Sequence, residues 1–221
     1  TDLIDFAIST DFENNVWAKV RKEMGHEAPF ELKYIGIGNE QWGDNFFKHY
    51  EAFVDAFDAA KSSNPELYGD IELMFSAGVD DGDSGADYMY AYDEASDWLK
   101  AHPDKTINDF AGAIDHHYYN DPSWFLDHAD SVSYTHLRAH ETRHDADYYD
   151  EKNYSRDTAS MTTTKFGGGI NVFLGEYAAR SNTLKAALSE AAYMTGLERN
   201  GDIVKMAAYA PLFGNLTATH L

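Results

Sequence analysis

The 221-residue sequence has no cysteine, only 5 prolines and no long apolar segment. Without cysteine the chain can form no disulfide, no thiolate zinc site and no cysteine nucleophile. No apolar run approaches the roughly 20 residues that a membrane-spanning helix needs. The sequence opens at Thr1 and shows no signal peptide there. We therefore expect a fragment, and the compartment stays unassigned.

Basic residues are scarce, because 17 Lys and Arg are outnumbered by 38 Asp and Glu, giving a formal net charge of −21. A surface this acidic repels phosphate, so nucleic acids and anionic membranes are excluded as favoured partners. Hydrophobic residues make up 43% of the chain, which is enough for a packed core. Abundant tyrosine and tryptophan beside many carboxylates is common at sugar-binding surfaces, where rings stack on the sugar.

Short apolar segments alternate with amphipathic helical patterns along the chain. Strands are predicted at 32–37, 71–76, 112–119, 170–177 and 203–208. Helices are predicted at 45–61, 86–101 and 183–198. The apolar face of the last helix consists of Leu184, Ala187, Leu188, Ala191 and Met194. Strands alternating with helices indicate parallel βαβ units, in an α/β barrel or a doubly wound sheet. The glycines after the first strand lack the spacing of a dinucleotide-binding loop.

Two glutamates, Glu40 and Glu176, lie at the ends of predicted strands that are far apart in the sequence. The carboxyl ends of parallel strands meet at one edge of a sheet, so the fold could bring both glutamates to one site. A pair of carboxyl groups can cleave a glycosidic bond: one protonates the leaving oxygen while the other attacks the anomeric carbon or activates water. The alternative is that both are ordinary salt-bridged residues at strand ends.

Several segments resemble the family-51 glycoside hydrolases, the α-L-arabinofuranosidases. YIGIGNEQWG (34–43) is similar to the acid/base strand of that family, and FLGEYA (173–178) is similar to its nucleophile strand. DHHYYNDPSWF (115–125) resembles its sixth strand, and residues 186–213 resemble the stretch after the nucleophile. The resemblance implies a (β/α)8 TIM barrel and a retaining mechanism, for which the two carboxyl groups must lie roughly 5 to 5.5 Å apart.

The resemblance also implies roles for individual residues. Glu40 would be the general acid/base and Glu176 the nucleophile. The implied substrate-binding residues are Asn39 at the sugar 2-hydroxyl, His117 and Tyr119 of a His-x-Tyr motif, and Trp42 at the mouth. Tyr119 would orient the nucleophile. Trp42 and Trp124 could equally be packing residues, and His116 is expected to stand behind the site at most. No cofactor and no metal are implied.

The sequence covers only part of the family pattern. The five predicted strands match strands four to eight of the barrel, so we expect residues 1–221 to form a partial catalytic domain. The first strands and the C-terminal β-sandwich would be missing, and the isolated chain would be unstable or inactive because its sheet edges are open. Residues 131–147 have no counterpart in the family and are interpreted as a sequence artefact.

That same segment contains His140, Glu141 and His144 in an H-E-x-x-H pattern. On a helix this pattern could hold zinc, with the glutamate as a general base. No apolar helical face surrounds it and no third ligand is evident, so the zinc-protease hypothesis carries little weight.

The predicted function is release of terminal α-L-arabinofuranosyl residues from arabinan, arabinoxylan or arabino-oligosaccharides by double displacement. Two alternatives stay open. The chain could belong to another retaining barrel glycosidase, acting on xylosides or glucosides, or it could be a sugar-binding fragment without catalysis. The expected partner is an arabinose-containing oligo- or polysaccharide, and the full-length protein could assemble as a homo-oligomer.

Overall fold

The computed structural model describes residues 2–80, 86–129 and 170–211. Its strands, in chain order, are β1 (Tyr34–Ile37), β2 (Glu72–Asp80), β3 (Ala113–Asn120), β4 (Asn171–Ala179) and β5 (Val204–Ala207). Its helices are α1 (Asp2–Ile8), α2 (Val16–Glu23), α3 (Asp44–Ser63), α4 (Pro65–Tyr68), α5 (Ala86–Ala101), α6 (Ile107–Phe110), α7 (Pro122–Asp127) and α8 (Leu184–Arg199). All neighbouring strands pair in parallel, and the sheet order follows the chain from β1 to β5. The predicted α/β class with a parallel sheet is therefore confirmed.

Local sequence signals set the helix ends. The side chain of Asn15 accepts hydrogen bonds from the first free N–H groups of α2, and Thr183 caps α8 in the same way. Thr106 and Asp109 form a reciprocal capping box at α6. Asn64 ends α3 and Pro65 begins α4, as expected for a proline at the first helical position.

The two faces of the sheet differ in composition. On the face that we call the helix face, aliphatic and aromatic side chains of the strands pack against α3, α5, α7 and α8 in one buried cluster. That cluster includes Phe47, Tyr50, Phe75, Tyr92, Trp98, Ile114, Tyr118, Phe125, Val172, Leu174, Tyr177 and Tyr193. On the opposite face, which we call the polar face, β3 and β4 present Asp115, His117, Tyr119 and Glu176.

Both neighbours of β3 carry a β-bulge at the same level. In β2 the register moves from Ser76 opposite Asp115 to Val79 opposite His117, so one extra residue is inserted. In β4 it moves from Leu174 opposite His116 to Glu176 opposite His117, which leaves Gly175 as the extra residue. A bulge of this kind changes the direction in which the following side chains point. Glu176 consequently lies on the polar face.

The apolar face predicted for the last helix does not pack against the sheet. Leu184, Leu188 and Met194 are exposed, and the buried residues of α8 are Ala186, Ser189, Tyr193, Gly196 and Leu197. The reason is that Tyr193 packs against Phe125 and Tyr177 in the aromatic cluster, which turns the neighbouring leucines toward the solvent.

Two features of the sequence lie outside the described residues: the segment 131–147 and the H-E-x-x-H pattern that begins at His140. In the part of the chain that the structure describes, no helix combines the length and the apolar character needed to cross a bilayer.

Candidate active site

The loop after β1 presents Glu40 in an unusual backbone conformation. Gly38 has a φ of 86° and Glu40 a φ of 56°, in the left-handed region that non-glycine residues seldom adopt. The side-chain oxygen Oε1 of Gln41 accepts a hydrogen bond from the backbone N–H of Asn39, and α3 begins shortly afterwards at Asp44. A non-glycine residue in this conformation costs free energy, and such residues concentrate at functional sites.

Strand β3 directs alternate side chains to opposite sides of the sheet, as its period of two requires. His116 lies on the helix face, where its Nδ1 atom is 2.9 Å from the hydroxyl of Tyr118 and its Nε2 atom is 3.4 Å from that of Tyr92. His117 and Tyr119 lie on the polar face with the glutamates. The predicted place of His116 behind the site agrees with this arrangement.

Glu40 and Glu176 meet around the imidazole ring of His117. The Nδ1 atom of His117 lies 3.0 Å from Oε1 of Glu40 and 3.6 Å from Oε2 of Glu176. One carboxylate oxygen of each glutamate and a ring nitrogen of His117 all lie within 4.8 Å of one another. The hydroxyl of Tyr119 donates a hydrogen bond of 2.5 Å to Oε2 of Glu176. Two glutamates far apart in the chain therefore share one site.

The electrostatics of the site favour a protonated His117. Its side chain is only 2% exposed, and this burial acts against the charged ring. Hydrogen bonds to Asp115 and Glu40, together with the charges of Asp115 and Glu176, outweigh burial and raise the pKa of His117 to about 9. Burial, followed by the hydrogen bond to Glu176, raises the pKa of the Tyr119 hydroxyl, which stays a neutral donor.

The grouping of Glu40, His117 and Glu176 is compact enough to hold a metal ion in principle. A metal-binding imidazole must be neutral, however, because the metal takes the lone pair that the proton otherwise occupies. The contacts of His117 with Glu40, Asp115 and Glu176 instead favour a protonated ring that donates to a carboxylate. The arrangement therefore favours a hydrogen-bonded cluster in which one cation offsets two carboxylates.

A cleft opens beside Glu40. It has a volume of about 390 Å³, and its lining residues are Glu40, Gln41, Trp42, Asn45, Phe46 and His49. Trp42 is 54% exposed, and its ring makes an edge contact with Tyr90 at 6.5 Å. Its role at the mouth of the site stays a prediction. Asn39 is exposed next to Glu40 in the loop after β1.

Comparison with known proteins places the chain in a family. Residues 1–153 match the family model described as the alpha-L-arabinofuranosidase 1 domain, and residues 150–221 match that of the alpha-L-arabinofuranosidase C-terminal domain. The chain belongs to the α-L-arabinofuranosidase family. This result confirms the resemblance to family 51 that the strand motifs carry. Strands β4 and β5, which fall within the second match, extend the same parallel sheet as β1 to β3.

Individual members of the α-L-arabinofuranosidase family align with nearly the whole chain. An extracellular exo-alpha-L-arabinofuranosidase of Streptomyces chartreusis is 36% identical over 97% of this chain and 20% of its own length. Alpha-L-arabinofuranosidase 1 of Arabidopsis thaliana is 32% identical over 91% of this chain and 22% of its own length. The chain thus spans about a fifth of the length of the curated relatives that it matches.

A solved structure of the same family shares the fold. The thermostable GH51 alpha-L-arabinofuranosidase from Thermotoga petrophila superposes with a TM-score of 0.60 at 18% identity. The alignment covers 96% of this chain and 40% of that one. At this level of identity the likeness concerns the fold alone.

The structure separates the predicted residues from others that the motifs did not single out. Trp124 lies on the helix face, stacked on His128 at 4.1 Å and close to Tyr118, which favours the packing alternative for it. Asp115, which approaches His117, was not predicted as a site residue. The alternation of a strand could have found it, because positions 115, 117 and 119 share one face.

Proposed function

We propose that this chain forms the catalytic region of a retaining glycoside hydrolase that removes terminal α-L-arabinofuranosyl residues by double displacement. The observation that carries the proposal is the approach of Glu40 and Glu176 to within 4.8 Å, measured between carboxylate oxygens. Retaining glycosidases hold their two carboxyl groups about 5 to 5.5 Å apart, whereas inverting enzymes separate them by about 6.5 to 9.5 Å to admit a water molecule. The separation in this chain lies on the retaining side.

In the first step, the Glu176 carboxylate attacks the anomeric carbon of the sugar. The bond from that carbon to the leaving oxygen breaks, and Glu40 gives its proton to this oxygen. In the second step, water attacks the same carbon and passes a proton to Glu40, and Glu176 leaves as a carboxylate. Tyr119 supports the assignment of Glu176 as nucleophile, because its hydroxyl donates to Oε2 and leaves the other carboxylate oxygen for attack.

The remaining predicted residues take binding roles in this proposal. Asn39, beside the acid/base residue, would bind the 2-hydroxyl of the sugar. Trp42 offers an exposed ring next to Glu40, on which the departing part of the substrate can stack. His117 would place positive charge between the two carboxylates. The names of the Streptomyces and Arabidopsis relatives, both α-L-arabinofuranosidases, support an α-L-arabinofuranoside as substrate. We extend the proposal to arabinan, arabinoxylan or arabino-oligosaccharides as the source of that group.

We also propose that the sheet is part of a (β/α)8 barrel, covering its fourth to eighth strands in residues 1–221. The supporting observations are the five parallel strands in chain order and the polar side chains clustered at their carboxyl ends. The half-exposed polar face of β4 supports the same proposal, because a closed barrel would fill the space in front of it with further side chains.

The proposal is tested with the full protein encoded by the gene. The Glu176→Ala variant should lose activity on an aryl α-L-arabinofuranoside by at least about 10³-fold, because no covalent intermediate can form. Added azide should restore turnover and give a glycosyl azide of inverted anomeric configuration. Glu198→Ala, at an exposed position of α8, is the matched control and should retain full activity.

Two results would refute the proposal. Undiminished activity in Glu176→Ala would remove the nucleophile assignment. A first-formed sugar of inverted configuration from the wild-type protein, observed by NMR, would exclude the retaining mechanism. A clear preference for aryl xylosides or glucosides over the matched arabinofuranoside would refute the substrate class. It would not contradict the retaining mechanism.

A further inference from the structure

Asp115 is a partly buried carboxylate on the polar face to which the reaction proposed above assigns no role. Its Oδ2 atom lies 3.4 Å from Nε2 of His117, on the side of the ring that faces away from the glutamates. The side chain of Asp115 is 17% exposed and that of His117 is 2% exposed. Among the described residues, Oδ1 of Asp115 has no hydrogen-bond partner. A buried, incompletely paired carboxylate is costly, so its presence requires an explanation.

The fold makes room for Asp115 through Gly175. A Cβ atom at Gly175 would overlap with Oδ1 of Asp115 and lie 3.1 Å from Nε2 of His117. Gly175 is also the extra residue of the β4 bulge, which brings Glu176 opposite His117. One glycine therefore creates both the space for Asp115 and the approach of Glu176 to the ring.

We propose that Asp115 is a positioning residue that acts through His117. It holds the Nε2 side of the ring, so that the Nδ1 side faces Glu40 and Glu176 and the ring keeps its positive charge between them. The catalytic part of this inference, a defect in the chemical step, rests on the proposed function. Its structural part, the hold of Asp115 on His117, does not depend on any activity.

Among the described residues, few ionisable groups face His117, so its titration can be interpreted. Glu40 approaches it from the loop after β1, Asp115 from its own strand and Glu176 from β4. Tyr119 acts on it through Glu176. From β2, the residues opposite Asp115 and His117 are Ser76 and Val79, neither of which is ionised. Of these groups, Asp115 is the one that contacts Nε2 without belonging to the catalytic pair.

The charge on the ring matters because the reaction needs Glu176 as an anion and makes Glu40 an anion when it gives up its proton. An imidazolium that donates from Nδ1 can stabilise each of these carboxylates in turn. Without Asp115, burial would favour the neutral ring, and the tautomer and orientation of that ring would no longer be fixed. We therefore expect a defect in the chemical step rather than in sugar binding.

The first test replaces Asp115 by the similarly shaped asparagine in the full protein. NMR titration of the imidazole signals should show that Asp115→Asn lowers the pKa of His117 by at least one pH unit from about 9 toward 6.5. The signal is assigned by its loss in His117→Gln. The value of kcat should fall by about 10- to 100-fold with little change in KM. The alkaline limb of the kcat profile should move to lower pH.

Asp58→Asn is the matched control, since Asp58 forms an ion pair of 2.7 Å with Lys105 far from the site. It removes the same charge and should leave the His117 titration and the kcat profile unchanged. A merely structural role for Asp115 predicts a lower melting temperature with an unmoved His117 titration. That result would overturn the inference.

The second test uses Gly175. Gly175→Ala should reproduce the effect of Asp115→Asn on His117, because the added methyl group displaces the Asp115 carboxylate. Combining Gly175→Ala with Asp115→Ala should cost little more than Asp115→Ala alone, since the smaller side chain gives the methyl group room. Fully additive losses in kcat would contradict the inference. If either single variant fails to fold, the double variant and Asp115→Asn still carry the test.

The two proposals can fail separately. A lowered His117 pKa in Asp115→Asn, in a protein that hydrolyses no arabinofuranoside, would support the positioning role and refute the proposed function. The opposite result is an active wild-type enzyme in which Asp115→Asn changes neither the His117 titration nor the kcat profile. It would support the proposed function and refute the positioning role.

Discussion

The two faces of the central sheet are built from the same strands and differ in nearly everything else. On the helix face, Tyr118 and Tyr177 lie within an aromatic cluster that buries its side chains. On the polar face, at the adjacent position of each strand, Tyr119 and Glu176 form a short charge-assisted hydrogen bond. Adjacent residues of one strand therefore serve the stability of the fold and the chemistry of the site. Substitutions on the two faces should have separable effects.

The largest effect is expected on the polar face, from Glu40→Ala. The loss of the acid should lower kcat by about 10²- to 10⁴-fold on substrates with a poor leaving group. An aryl arabinofuranoside with an activated leaving group needs no proton and should lose far less in its first step. Paired assays with the two substrates check this prediction, and Glu51→Ala, exposed on α3, is the control. Equal losses on both substrates would contradict an acid role.

Substitutions on the helix face should change the stability of the fold. Phe125 is fully buried and packs against Tyr193 and Tyr177, so Phe125→Ala should lower the free energy of unfolding by about 3–5 kcal/mol. The neighbouring Leu126 is 53% exposed, and Leu126→Ala should cost much less. Denaturant titration of both variants measures the difference. Similar costs for the two would mean that the aromatic cluster does not stabilise the fold.

The charge on His117 links the polar face to stability through pH. Because the folded pKa of about 9 lies above the ordinary value of 6.5, protonation of His117 stabilises the folded state. This contribution is fully present below about 6.5, declines as the pH rises and is lost above about 9. Unfolding free energies measured across this window should fall in the wild type, with a smaller slope in His117→Gln. Equal slopes would refute a raised pKa.

The smallest effects come from a matched pair of tyrosines. Tyr119→Phe removes the hydrogen bond to Glu176 and should lower kcat by about tenfold with stability nearly unchanged. Tyr118→Phe removes the contact with His116 and should lower stability by about 1 kcal/mol with kcat unchanged. Kinetic and unfolding measurements on both variants test the separation. Loss of activity in Tyr118→Phe alone would reverse the roles of the two faces.

Local patterns were sufficient to predict much of the fold. The helix at 86–101 was predicted with the bounds that the structure shows, because its apolar spacing is regular and His102-Pro103 follows it. The strand predicted at 71–76 continues to Asp80. Gly78 adopts a φ of 77° within a bulge, and the strand resumes after it. Periodicity alone cannot distinguish a bulge from a strand end.

The site was only partly accessible to sequence reasoning. Glu40 and Glu176 stood out because each lies near the end of a predicted strand, in a motif that resembles a known family. Asp115 did not, because its significance depends on where the ring of His117 lies and on the space left by Gly175. The exposed leucines of α8 were missed for a related reason: spacing identifies an apolar stripe and leaves its partner unspecified.

The extra residue in β4 has a consequence for anyone who transplants or redesigns this strand. Up to Leu174 the even-numbered side chains point toward the helices, and beyond Gly175 the odd-numbered Tyr177 does so. The strand thus changes parity once, at a single glycine. A redesign that straightened it while keeping every amino acid would leave the composition intact, yet it would turn the Glu176 carboxylate inward among the tyrosines.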